Sequence, residues 1–104
     1  ANLVLPYCPQ AMPIRCLENR VYAITANRTG AERRKEGPSL KFIGQSRIVS
    51  PEGSVLVRAD ENEEILLITE IDPKKARNKS LNPLNNLFTD RRPEMYRNLT
   101  EQKS

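Results

Sequence analysis

Cys8 and Cys16 are the only thiols in the sequence, and no histidine is present to activate either one. A Ser-His or Cys-His catalytic arrangement is therefore excluded within these residues. Cys8 is the one candidate nucleophile, because it precedes an expected helix N-terminus, a setting that lowers a thiol pKa. The competing reading is that both cysteines are small buried hydrophobes, as lone cysteines usually are, and we adopt it. The two are too far apart for a zinc half-site and have no second pair. No other metal-ligand set and no glycine-rich phosphate loop is visible, so no metal and no cofactor is expected. Glu18 beside Arg15 and Arg20 reads as a structural ion pair. Asp90, Arg91 and Arg92 read as an interface or a solvated turn.

The elements that must position these groups follow from hydropathy pattern and turn chemistry. Residues 2–5 form a short apolar run, a buried strand ended by Pro6. Residues 7–10 read as a turn before a helix, with Pro9 or Pro13 in its first turn. Ile14, Cys16, Leu17 and Val21 give that helix one apolar face, and it should stop near Asn19 or Arg20. Residues 21–26 (VYAITA) are β-branched and aromatic and read as a buried strand, closed by a turn in which Gly30 is free to take positive φ. Residues 31–40 are a polar, basic loop. Residues 42–49 (FIGQSRIV) begin a strand interrupted by Gly44. SPEG at 50–53 is a hairpin turn with proline second and glycine fourth, and residues 54–59 pair back. Residues 65–71 (ILLITEI) make the strongest strand pattern in the chain. Asp72 and Pro73 start a short helix reaching about Asn78. From Lys79 onward the apolar residues Leu81, Leu84, Leu87, Phe88, Met95, Tyr96 and Leu99 follow no period, as in an extended tail that lies on another surface.

Bulk properties set bounds on this plan. The chain has 104 residues, enough for one small domain, but hydrophobic residues make up only 38% and there is no tryptophan. One helix against four or five strands would leave a sheet face uncovered, which argues for missing chain or an obligate partner. The opening ANLVL, with no initiator methionine, also reads as a strand entered midway. Net charge is +4, from 17 basic against 13 acidic residues. The signs are interspersed, as on a solvated surface, and no basic cluster with interleaved aromatics points to nucleic acid. No apolar run approaches a membrane span. Two thiols without a secretory signal point to a reducing cytoplasm.

Five ordered blocks carry a resemblance that these properties alone do not give. They are ANLVLP (1–6), MPIRCLENRVYAITANRTG (12–30), LKFIGQSRIVSPEG (40–53), EIDPKKARN (70–78) and DRRPEMY (90–96). Together they resemble the nitrilase superfamily of carbon–nitrogen hydrolases, and most of all its small archaeal nitrilase- and amidase-like members. The resemblance implies an α+β fold, the C-terminal part of a four-layer α-β-β-α sandwich. One sheet of four to five strands would carry a packed helix, with residues 1–78 as the folded unit and 79–104 as the tail. It implies attack by a cysteine thiolate on a nitrile, amide or carbamoyl carbon, with a glutamate base and a lysine facing the oxyanion. In the family all three precede the segment that matches this chain, so neither Cys8 nor Cys16 is the nucleophile and no catalytic residue is expected here. Asn2, and with it Leu3 and Tyr7, would line the substrate pocket. Asn27 and Ser46 match recurrent polar positions that satisfy local backbone.

The partners implied are a small nitrile or amide substrate, the missing N-terminal half of the same protein, and a second copy reached through the tail. The chain alone would be inactive. A rival reading makes the same elements a non-catalytic interaction or dimerisation module. A third and weaker one is a basic nucleic-acid-binding domain.

Overall fold

The computed structural model describes residues 7–101. Helix α1 (Tyr7–Asn19) starts about one turn before the expected position. Pro9 falls among the first residues of the helix, whose N–H groups have no intrahelical partner, so its missing donor costs nothing. Pro13 lies inside α1 and cannot donate to the Pro9 carbonyl one turn back. That carbonyl accepts instead from Arg47 Nη1 at 2.9 Å. The helix ends where the sequence placed it, on Arg20 at φ +50, a left-handed closing residue. Lys79 Nζ then donates to the carbonyls of Asn19 and Arg20, each at 2.9 Å, and Arg20 Nε donates to Asn78 O at 2.8 Å. A cation at that end meets the negative pole of the helix.

Seven short strands follow: β1 (Ala23–Thr25), β2 (Ala31–Glu32), β3 (Leu40–Lys41), β4 (Arg47–Val49), β5 (Val55–Arg58), β6 (Ser80–Asn82) and β7 (Asn85–Asn86). The main sheet is antiparallel in the order β1-β4-β5, three strands among the described residues, with the strand expected at 2–5 lying outside them. β2-β3 and β6-β7 are separate two-stranded ribbons. The first ribbon lies within the stretch expected as plain loop, and Arg28 stacks over the buried Phe42 ring at its base, 4.3 Å from the centroid. The hairpin turn forms as expected, Gly53 N donating to Ser50 O at 2.9 Å.

Register assigns the two faces of the main sheet. Thr25, Arg47 and Arg58 align across the strands, as do Ile24, Ile48 and Val57 one step away. Alternate residues point to opposite faces. Arg47 (7% exposed) and Val49 (0%) lie on the covered face, where α1 packs on β4. Ile24, on the other face, is 68% exposed, so β1 is not the fully buried strand its composition suggested. The apolar stripe of α1 is likewise only partly covered: Cys16 is buried, whereas Ile14, Leu17 and Val21 remain open.

Residues 65–71 form no strand. Their burial still alternates, with Leu67, Thr69 and Ile71 half-buried between the exposed Leu66 and Ile68. The segment has the side-chain period of a strand and lacks a hydrogen-bonded neighbour among the described residues. Beyond it, Asp72 caps a 3-10 helix (Pro73–Arg77), its Oδ1 accepting from Lys74 N at 3.0 Å. The tail is less extended than expected, folding through the β6-β7 ribbon into a second 3-10 turn (Pro93–Tyr96) and a short α2 (Arg97–Thr100).

The molecule is a plate of 54 × 45 × 18 Å with a radius of gyration of 18.5 Å. A compact domain of this length has a radius of gyration near 13 Å. Its accessible surface is 8637 Å², against about 6,000 Å² for a folded monomer of this mass. Helix and sheet make the expected α+β arrangement with one sheet face uncovered.

Candidate functional site

The polar residues singled out in the sequence meet where the end of β1 approaches the start of β4. Asn27 N donates to Ser46 Oγ at 2.8 Å, and Ser46 Oγ donates back to Asn27 O at 3.2 Å. Asn27 Nδ2 donates to Gly44 O at 2.8 Å, and its Oδ1 accepts from Arg28 N at 2.9 Å. Both side chains are spent on local backbone, the role expected of them. They hold the irregular segment 42–46 in place of a regular ladder.

That segment carries two consecutive left-handed residues, Gly44 at φ +58 and Gln45 at φ +59. Glycine is required at the first, because a Cβ there would stand 2.6 Å from the Glu61 carbonyl oxygen and 2.9 Å from Thr29 Cγ2. Gln45 has no such freedom and is strained. Its carbonyl accepts from Arg47 Nε at 3.2 Å, and its Oε1 accepts from Arg47 Nη2 at 2.9 Å. With the Pro9 bond, the guanidinium makes three hydrogen bonds, none of them to a carboxylate. Burial lowers its pKa, Arg58 across the ladder pushes the same way, and Cys8 opposes them. It remains a cation under all ordinary conditions.

Cys8 sits half-buried in the first turn of α1, in a crevice shared with Pro9, Thr25, Asn27, Gln45 and Arg47. The crevice holds about 10 Å³, room for about one water molecule and none for a substrate. Among the described residues, no carboxylate or lysine lines it. Cys16 is fully buried, and burial raises its thiol pKa. Both cysteines fit the role of packed hydrophobes. Asn2 and Leu3 lie outside the described residues, and Tyr7 is described only as the first residue of α1. Glu18 pairs with Arg15 at 3.0 Å, an exposed contact, while Arg20 turns to Asn78. Asp90 anchors a solvated turn by accepting from Asn86 N, and Arg92 pairs with Glu94.

On the uncovered face, Ile24, Ile48, Val57, Ile65 and Leu66 border a shallow apolar trough of about 210 Å³. Among the described residues, no group of three or more His, Cys, Asp or Glu could hold a metal ion. Among them also, no helix is long and apolar enough to cross a membrane. Arg47 and Gln45 are the residues that sequence reasoning passed over. The available signal was Pro13, four residues after Pro9, which leaves a helical carbonyl in need of a donor from elsewhere.

Comparison with known proteins adds what the geometry leaves open. The family described as carbon-nitrogen hydrolase matches residues 2–79. A nitrilase of Pyrococcus abyssi is 55% identical over 96 residues, which cover 92% of this chain and 35% of that protein. The N-carbamoylputrescine amidase of Arabidopsis thaliana is 33% identical over 82 residues, 76% of this chain and 27% of that one. A solved carbon-nitrogen hydrolase of Helicobacter pylori matches the fold with a TM-score of 0.69 at 27% identity, over 88% of this chain and 31% of that chain. The chain thus spans between 27% and 35% of the length of these curated relatives.

Proposed function

The chain belongs to the carbon–nitrogen hydrolase family, and from that premise we propose that it is the C-terminal portion of an enzyme hydrolysing a small nitrile, amide or carbamoyl compound. The observation that carries this is the 55% identity to a nitrilase, sustained over 92% of the chain. In this reading a cysteine outside these residues attacks the substrate carbon as a thiolate. A glutamate takes the thiol proton and then activates water, and a lysine faces the negative charge that develops on the substrate. An amide or carbamoyl adduct loses ammonia directly, whereas a nitrile gives a thioimidate that adds one water before ammonia leaves. A further water then releases the acid from the thioester, or a carbamic acid from the carbamoyl thioester. Cys8 in its closed crevice and Cys16 in the core are consistent with a nucleophile placed elsewhere. Asn2, Leu3 and Tyr7 would line the pocket from this side. Two free thiols fit a reducing cytoplasm.

The uncovered face and the plate shape support a second layer supplied by the rest of the same protein. The exposed Leu84, Phe88, Met95 and Leu99 support a tail that lies on a second copy. The same surfaces favour the rival reading, a non-catalytic packing layer. Ammonia release from N-carbamoylputrescine, succinonitrile and butyramide separates the two. The hydrolase reading expects release from at least one by the full-length protein and from none by the 104-residue chain alone. Turnover by the short chain, or silence of the full-length protein on all three classes, would refute it.

A further inference from the structure

We propose that Arg47 is a positioning residue: by taking the Pro9 carbonyl it fixes the first turn of α1 on β4, and with it Tyr7, the first residue of that helix. What Tyr7 does at the pocket rests on the hydrolase reading. How the helix is held rests on geometry alone.

Pro13 removes the donor that the Pro9 carbonyl would have one turn on in a regular α-helix, and leaving a half-buried carbonyl unpaired is costly. Arg47 Nη1 supplies the bond at 2.9 Å from a strand 38 residues further along the chain. The choice of a cation is otherwise unfavourable. The side chain is 7% exposed, Arg58 stands opposite it, and the start of a helix is the positive end of its dipole. A neutral side chain would avoid all three penalties. Only the planar fork of arginine reaches the Pro9 carbonyl, the Gln45 carbonyl and the Gln45 Oε1 together. The last two bonds hold Gln45 in its strained left-handed conformation, so one guanidinium joins a strained loop to a helix start. At the other end of the hairpin, the turn at Gly53 abuts the Pro13 carbonyl and Leu17, in the middle of α1 and not at its start.

The test uses the full-length protein and the variants Arg47→Met, Arg47→Lys and Pro13→Ala/Arg47→Met. Amide hydrogen exchange at residues 11, 12 and 14 reads the helix start. Ammonia release from N-carbamoylputrescine, succinonitrile and butyramide reads the pocket. Arg47→Met is expected to speed exchange there roughly tenfold or more, the lower range of one charge-assisted hydrogen bond, and to raise KM more than it lowers kcat. Arg47→Lys, which keeps one bond, is expected to recover part of both. Pro13→Ala restores the helical donor, so the double variant is expected to exchange more slowly than Arg47→Met. Unchanged exchange in Arg47→Met would overturn the proposal. So would a double variant no better protected than the single one, or altered exchange with KM and kcat both as in the parent. If the parent releases no ammonia from any probe, the hydrolase reading fails, while the exchange results still decide whether Arg47 holds the helix.

Discussion

Replacing Gly44 by alanine, with Gly30 as the internal control, isolates the closest backbone approach at any of the four glycines. Both glycines have positive φ, +58 at Gly44 and +85 at Gly30, but nothing lies within 4 Å of a Cβ built on Gly30. Gly30→Ala therefore meets only the left-handed penalty, about 1–2 kcal/mol. Gly44→Ala meets the same penalty and a Cβ 2.6 Å from the Glu61 carbonyl oxygen, with the Asp60 carbonyl oxygen at 3.1 Å. Those are backbone atoms, so the loop at 60–61 must move as a whole, an overpacking cost of about 1–3 kcal/mol. It also disturbs the Gln45 N to Asp60 O bond at 3.4 Å. Denaturant unfolding of the full-length protein should place Gly44→Ala about 2–5 kcal/mol below the parent, by the sum of those two costs. It should also fall below Gly30→Ala by at least about 1 kcal/mol, the low end of the steric cost. Equal losses in the two variants would show that the 60–61 loop yields freely, and would refute the idea that segment 42–46 is held by close packing.

Further outcomes follow from the contacts of α1. Lys79→Met keeps the apolar stem but removes two bonds to the C-terminal carbonyls of α1; a loss of about 1–3 kcal/mol is expected. A double-mutant cycle with Arg20→Met should show positive coupling, since both join α1 to residues 78–79. Cys16 keeps its proton in the folded state at pH values where the unfolded chain has lost it. Stability should therefore fall as pH rises past the ordinary thiol range, and Cys16→Ala should flatten that slope in pH-dependent unfolding. Arg15→Ala should change stability by no more than about 0.5 kcal/mol, because its pair with Glu18 is solvated on both sides; added salt should abolish what remains.

Local chemistry was legible in the sequence and partnership was not. The Asp72 cap, the SPEG turn and the end of α1 near Arg20 each depend on residues within a few positions of one another, and each formed where expected. The exchange between Asn27 and Ser46 was legible through the resemblance, as local backbone satisfaction. Residues 65–71 show the other case. Their alternation is real, but a strand also needs a neighbour, and none is supplied among the described residues. Arg47 escaped notice because its acceptor was created by Pro13, far away in sequence. Pro13 was read only as a helix-start residue. The start of α1 was missed by a turn for the same reason, since a proline inside a helix is tolerated only when a distant donor compensates it.

Trapping the acyl intermediate would show where the chemistry sits. The full-length protein would be mixed with a nitrile or amide that it turns over, quenched in acid and digested, and the thioester located by mass spectrometry. The acyl group is expected on a cysteine outside these 104 residues, with Cys8 and Cys16 recovered unmodified. An adduct on Cys8 or Cys16 would contradict it.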